Sequence, residues 1–454
     1  MTEEKKPAAN PMGTKPVMRL LLTMAVPPMI SMFTTSMYNI VDSMYVSAMG
    51  EKALTAVSLV FPLQNIILSV AVGVGVGMNS LISRAVGAGR GEEADEVASQ
   101  AMLAVLLHFF GFVLIGLFLA KPYLAMYTKD AEILGMSTTY GRIVMCASFG
   151  TLIYLVLEKI FQAEGIMYVP MGCQLVGAVV NIVLDPIMIF GKFGCPKMGV
   201  AGAAIATVIG QIVSLVLIVM LYRRGGSQVK VRLEYMRFNG IIMGNIYKIA
   251  IPSTLVMCMP SILVSVLNGI LTSASQVGVA AFGLYYKLQT FVYQPSSGLV
   301  QALRPIVGYN YGARNYKRMN ETVRTGLLVV GVIMTVGTVL FLAVPGFILS
   351  FFHAQGELLT ISTACLRIIS TGFIISSVGG VLAGTFEALG IGKYSLTISL
   401  LRQMTVIPIL APIMVRIAGL NGIWITFPLA EIAAAVVGGL LYRKVLRHLP
   451  GQNA

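Results

Sequence analysis

The chain has 454 residues, 57% of them hydrophobic and only 11% charged, with a mean hydropathy of +0.84. A soluble domain carries about 25% charged residues, so this composition excludes an ordinary water-soluble enzyme or binding module. The formal net charge of +14 does not mark a nucleic-acid binder, because the basic residues sit mostly at helix ends and in loops, where membrane topology places them.

The N-terminal stretch MTEEKKPAANPMGTKP is polar and proline-bearing. It lacks the apolar core and cleavage site of a secretory signal, so residues 1–17 are expected to form a short disordered tail. Runs of about 20 apolar residues follow, each long enough to cross a ~30 Å hydrocarbon core as a helix. The ~10-residue alternating segments of a membrane β-barrel do not occur. The spans are predicted at 18–46, 54–83, 96–121, 136–162, 167–190 and 200–222, a first lobe over 18–222. A basic linker at 223–240, within YRRGGSQVKVRLEYMRFNG, separates them from 245–272, 277–307, 321–351, 358–388, 394–416 and 422–446, a second lobe over 241–447. A tail at 448–454 ends the chain. Twelve spans put both termini on one side, and the concentration of Lys and Arg there assigns it to the cytoplasm.

Within the first span, Pro27 and Pro28 interrupt the helical hydrogen-bond ladder and form a candidate hinge. The second span carries GVGVG at 73–77, which reads as a small-residue stripe for close helix packing rather than a nucleotide loop. Glu158 and Lys159, and likewise Glu387 and Arg402, are expected at cytoplasmic helix ends in contact with solvent. Glu431 lies deeper and is a candidate substrate contact. No H-E-x-x-H motif or P-loop occurs, and the five cysteines show no disulfide or metal-ligand spacing. An integral membrane enzyme is therefore not expected, nor a resident metal or cofactor.

The two halves echo one another. AVPP at 25–28 matches AIPS at 250–253, and FQAEG at 161–165 matches FEALG at 386–390, the same distance apart. Each half has an even number of spans, so both enter from the same face. This predicts an all-α membrane protein of twelve transmembrane helices, in two six-helix lobes related by a pseudo-two-fold along the membrane normal. Such repeats are typical of alternating-access carriers.

Two of the chain's four aspartates, Asp42 in YNIVDSMYV and Asp185 in NIVLDPIMIF, fall late in apolar spans that run in the same direction. Charge at a helix centre costs about 2.5–3.5 kcal/mol on insertion scales, so each is expected to face a cavity or the bundle interior. A carboxylate withdrawn from water beside another is a proton-binding site. Asn181 and Asp185 are spaced i, i+4 and share one helix face.

AVPPMISMFTTSMYNIVDSMYV, SLISRAVGAGRGEEADE, NIVLDPIMIFG with GVAGAAIAT behind it, and RPIVGYNYGARN together resemble the multidrug and toxic compound extrusion (MATE) family over nearly the whole chain. The resemblance implies a V-shaped pair of lobes around a central cavity that exports organic, often cationic, compounds from a bacterial inner membrane, as a monomer. It also implies that Asp42 and Asp185 couple export to protons, with Asn181, Tyr140, Thr207 and Tyr38 in their network and bending at Pro27. The sodium-coupled branch carries an acid in the seventh span, and 245–272 contains none, which favours protons. A sodium-coupled exporter, a lipid-linked saccharide flippase and a dedicated metabolite exporter are the alternatives.

Overall fold

The structure, a computed structural model, describes residues 10–449. Among these residues every regular element is a helix. Eight helices are long and apolar enough to span a membrane, and two bent pairs raise the number to ten. The longest, Gly392–Arg447, is broken at Ala418 and Gly419, where Gly419 takes φ 59°, so it holds two spans. The helix Gln276–Gly312 is as long as any span but more polar.

The twelve segments are α1 Val17–Ser47, α2 Glu51–Gly87, α3 Gly91–Ala125, α4 Ala131–Cys146 with Phe149–Ala163, α5 Tyr168–Phe190 and α6 Val200–Leu221. After the linker come α7 Gly240–Ala274, α8 Gln276–Gly312, α9 Tyr316–Ala343, α10 Gly356–Ser370 with Phe373–Ala388, α11 at 392–417 and α12 at 420–447. Each of the twelve expected spans falls on one of these helical segments. Several helices outrun the apolar stretch: α2 and α8 continue to Gly87 and Gly312, because backbone hydrogen bonding does not stop where hydropathy falls.

The helices pack into two units. The first comprises Pro27–Ile82 and Gly91–Cys258; the second comprises the described parts of Met1–Val26 and Met259–Ala454, with Ser83–Arg90. This division differs from lobes at 18–222 and 241–447. Helix α1 changes unit at Pro27, and α7 remains with the first unit as far as Cys258. The physical reason is contact across the sequence. The start of α7 lies against α2, where a Cβ on Gly77 would stand 2.5 Å from Ile246 O and one on Gly73 2.8 Å from Ala250 O. The GVGVG stripe is thus a packing surface.

In the first unit, α5 and α6 approach through Gly177 and Gly210. A Cβ on Gly177 would meet the Ser214 hydroxyl at 1.9 Å and Gly210 O at 2.6 Å, and one on Gly210 would meet Gly177 O at 2.7 Å. Only glycine permits this backbone contact. A closed network buries Glu158 and Lys159 in α4. The Lys159 ammonium lies 3.0 Å from Glu158 Oε1 and donates to Gln162 Oε1 at 2.9 Å, and Gln162 Nε2 donates to Glu158 at 2.7 Å. The pair is not solvated as expected. A helix end is no guarantee of water when neighbouring helices extend past it.

The linker is held along the first unit. Glu164 Oε1 accepts from the backbone of Gln228 and Val229 at 2.8 and 3.0 Å, and Asp95 Oδ1 accepts from Lys230 N at 2.8 Å. Ser99 Oγ accepts from Arg232 N, while Gln100 donates to Tyr235 O and Arg237 O and accepts from Asn239 N.

In the second unit, two further charges expected in solvent are held in ion pairs, Glu387 buried and Arg402 half-buried. Arg304 Nη2 lies 2.7 Å from Glu387, which also accepts from Ser395 Oγ at 3.1 Å. Arg402, on a π-helical turn at Leu401–Thr405, lies 2.5 Å from Glu431, donates to Tyr293 OH at 3.1 Å and stacks over that ring. The expected disordered tail also needs correction. Pro11–Thr14 is helical, and Met12 is buried with its carbonyl accepting from Asn310 Nδ2 and Arg318 Nε, both at 3.1 Å. The rest of both expected tails, 1–9 and 450–454, lies outside the described residues.

Gly210→Ala overpacks the α5–α6 contact and should destabilise by about 1–3 kcal/mol, read as a lowered unfolding midpoint in detergent. Arg402→Met strands Glu431 and should cost about 3–5 kcal/mol, whereas replacing both partners with apolar residues recovers most of it; the same unfolding assay compares them. Burial pushes the Glu164 carboxyl up, against the pull of the Val229 and Gln228 amides, with Asp95 adding to the rise. A carboxyl raised on folding contributes stability below its ordinary value of about 4.3 and loses it as pH rises through the folded value. Glu164→Gln keeps an acceptor without the charge, so its midpoint should gain on the parent as pH is raised.

Candidate functional site

The carboxylates of interest lie in the first unit, on α1 and α5. The close α5–α6 contact sets the position of Asn181, whose Cβ lies opposite Gly210. From there Asn181 Nδ2 reaches Asp185 Oδ1 and Thr207 Oγ1, both at 3.4 Å. The Thr207 hydroxyl donates to Ala203 O at 3.0 Å, as side chains of this type do in helix interiors, which leaves its lone pair toward Asn181. Asp185 is fully buried and Asn181 nearly so.

Helix α1 is tied to α5 by Gln174 Nε2 donating to Thr35 Oγ1 at 2.7 Å. Asp42 follows Thr35 by about two helical turns, and Asp185 follows Gln174 by about three. The two carboxylates come within electrostatic reach of one another as a result. Tyr140 of α4 is buried and lies within electrostatic reach of both aspartates and Tyr38. Its hydroxyl accepts from Gln64 Nε2 of α2 at 3.3 Å, which leaves the phenolic hydrogen free to donate. Tyr38 lies one turn before Asp42 and within reach of it.

The structure therefore brings together Asp42, Asp185, Asn181, Tyr140, Thr207 and Tyr38 from four helices of one unit. Pro27 and Pro28 lie within α1, far from the carboxylates along the helix, where that helix passes between units. Their missing amides leave the carbonyls of Thr23 and Met24 without helical partners. Glu431 does not join this group; it is paired with Arg402 in the second unit. Gln64, Gln174 and Thr35 escaped sequence reading. The signal was present, since Gln64 and Gln174 are amides in apolar runs, but their partners lie on other helices.

The electrostatics separate this cluster from the other intramembrane charges. Lys159, Arg304 and Arg402 each meet a carboxylate. Among the described residues no Lys or Arg pairs with Asp42 or Asp185. Asp42 Oδ1, Asp185 Oδ2 and Asn181 Oδ1 are buried without a protein hydrogen-bond partner. Three unmatched acceptors in one place can take protons, a cation, or a cationic group.

Comparison with known proteins places the chain in a family. A model of the MatE family matches residues 27–187 and 252–413, two segments that start as far apart as the repeated motifs of the sequence. The multidrug export protein MepA of Staphylococcus aureus strain MSSA476 is 24% identical over 427 residues, covering 94% of this chain and 93% of MepA. A crystal structure of MATE in the straight conformation superposes with a TM-score of 0.90 at 26% identity, covering 98% of this chain and 99% of that one. One in the bent conformation gives 0.88 at 26%, covering 96% and 98%. With most of its length matched by the family's repeated domain, the chain belongs to the MatE family of membrane transporters.

Proposed function

We propose that this transporter exports organic, often cationic, compounds across a bacterial plasma membrane by proton antiport and alternating access, with both termini in the cytoplasm. The observation that carries the reading is the pair of carboxylates, Asp185 buried and Asp42 half-buried with its Oδ1 enclosed, held on different helices without a basic partner. Such a pair has negative charge to be balanced, and a proton or a cationic cargo can each balance it. Binding of one lowers the affinity for the other, which is the requirement for exchange. Protons taken up from outside discharge the pair and release the cargo. Loss of those protons to the cytoplasm restores the negative site.

Asn181 steadies this cycle by donating to Asp185 Oδ1, and Tyr140 supplies a donor to whichever carboxylate is ionised. The charge state of Asp42 alters its attraction to α5 and α4, and Pro27 and Pro28 let the part of α1 that carries Asp42 move without dragging the rest. The export of many drugs is what the name of MepA states, and the straight and bent forms of a structural relative support conformational exchange. The unpartnered oxygens of Asp42, Asp185 and Asn181 also suit a sodium ion, which prefers hard oxygen ligands; this is the second reading.

Proteoliposomes loaded with a fluorescent organic cation separate the two. A pH gradient alone should drive transport, and a sodium gradient at equal pH should not. Asp42→Asn and Asp185→Asn should each lower the pH-driven rate at least about ten-fold, equivalent to about 1.4 kcal/mol. Unchanged rates in both variants would refute carboxylate coupling, and transport driven by sodium alone would transfer the site to the second reading.

A further inference from the structure

The linker between α6 and α7 is a pinned strand of chain that shows apolar side chains to the outside. Its backbone is held at residues 228–230, 232, 235, 237 and 239 by Glu164, Asp95, Ser99 and Gln100. Val229 is turned inward and is 3% exposed, whereas Leu233, Phe238 and Ile241 are 86%, 71% and 79% exposed. A loose linker would fold such residues inward, since burying each is worth about 1.5–3 kcal/mol. With the backbone held by these hydrogen bonds, they have no freedom to turn.

The charges nearby are uneven. Arg232 pairs with Asp95 and Glu234, and Glu96 accepts from Asn239. Arg223, Arg224, Lys230 and Arg237 are exposed and have no acidic partner among the described residues. The segment follows the end of α6 at Leu221 and runs into the first turn of α7 at Gly240, so apolar spans flank it on both sides and hold it near a membrane boundary. Exposed apolar residues with free cations at that boundary are the signature of an interfacial anchor.

We propose that residues 223–241 dock on the membrane surface itself. Leu233, Phe238 and Ile241 enter the headgroup–acyl boundary, and Arg223, Arg224, Lys230 and Arg237 bind the phosphates of anionic lipid. In the cell this rests on the cytoplasmic placement of the linker proposed above. In vesicles with anionic lipid in both leaflets it does not, so failure here and failure of the coupling reading are distinguishable.

Trp424 is the only tryptophan, so Leu233→Trp and Phe238→Trp each add one reporter, read by difference from the parent. In full-length protein reconstituted into phosphatidylglycerol vesicles, lipids brominated near the glycerol end of the acyl chain should quench the reporter, and aqueous iodide should not. Each of Arg223→Gln, Arg224→Gln and Arg237→Gln should lower the docked-to-free ratio about five-fold. High salt should act in the same direction, since the Debye length falls to about 3 Å at 1 M. Quenching by iodide and not by lipid overturns the proposal, as does equal docking in purely zwitterionic vesicles. Shielding that tracks protein density instead of lipid composition, the mark of a protein partner, overturns it too.

Discussion

Hydrocarbon does not solvate charge, and the acidic clusters that this chain encloses among its spans answer to that constraint in one of two ways. Lys159 is enclosed by Glu158 and Gln162, Arg304 by Glu387, and Arg402 by Glu431 and Tyr293. In these clusters opposite charges meet at hydrogen-bond distance, so charge is balanced within the protein even where an atom such as Glu431 Oε2 has no hydrogen-bond partner of its own. Asp42 and Asp185 are the other case. They bring two acids together with an asparagine, a threonine and two tyrosines, and no base. Breaking a closed pair harms stability; an unclosed one is where binding of a cation gains most. The contrast between the two kinds of cluster, more than the presence of acids in spans, singles out the site.

Close helix packing makes that site possible. Asn181 stands where it does because Gly177 and Gly210 let α5 and α6 approach to backbone contact. The same device brings the start of α7 onto Gly73 and Gly77 of α2. Small residues in lipid act less by their own burial than by what they allow larger neighbours to reach. A carboxylate network is therefore only as well placed as the glycines behind it.

Two long helices, α1 and α7, are divided between the two units. In α1, the part before Pro27 is packed with the second unit and anchored through Met12, while the part carrying Asp42 is packed with the first. The proline pair removes two helical hydrogen bonds at that place. The linker, by contrast, is fastened along its length to the first unit, so it behaves as part of that unit and not as a slack tether.

The spans, the repeat, the proline pair and the two aspartates were all legible in the sequence, because each is a local property. Hydropathy over some twenty residues decides whether a helix is stable in lipid, and an acid in such a run is conspicuous wherever the helix packs. What lay beyond reading were partners on other helices. Nothing local told that Arg402 and Glu387 are held in ion pairs, that Gln64 holds Tyr140, or that Met12 is clasped by Asn310 and Arg318. Nor did it show that α1 and α7 change unit partway along. The sequence by itself determined where the apolar helices lie and which acids fall within them. Only the tertiary structure decided which charges are closed and which remain open, since that depends on side chains far apart in the chain meeting within about 3 Å.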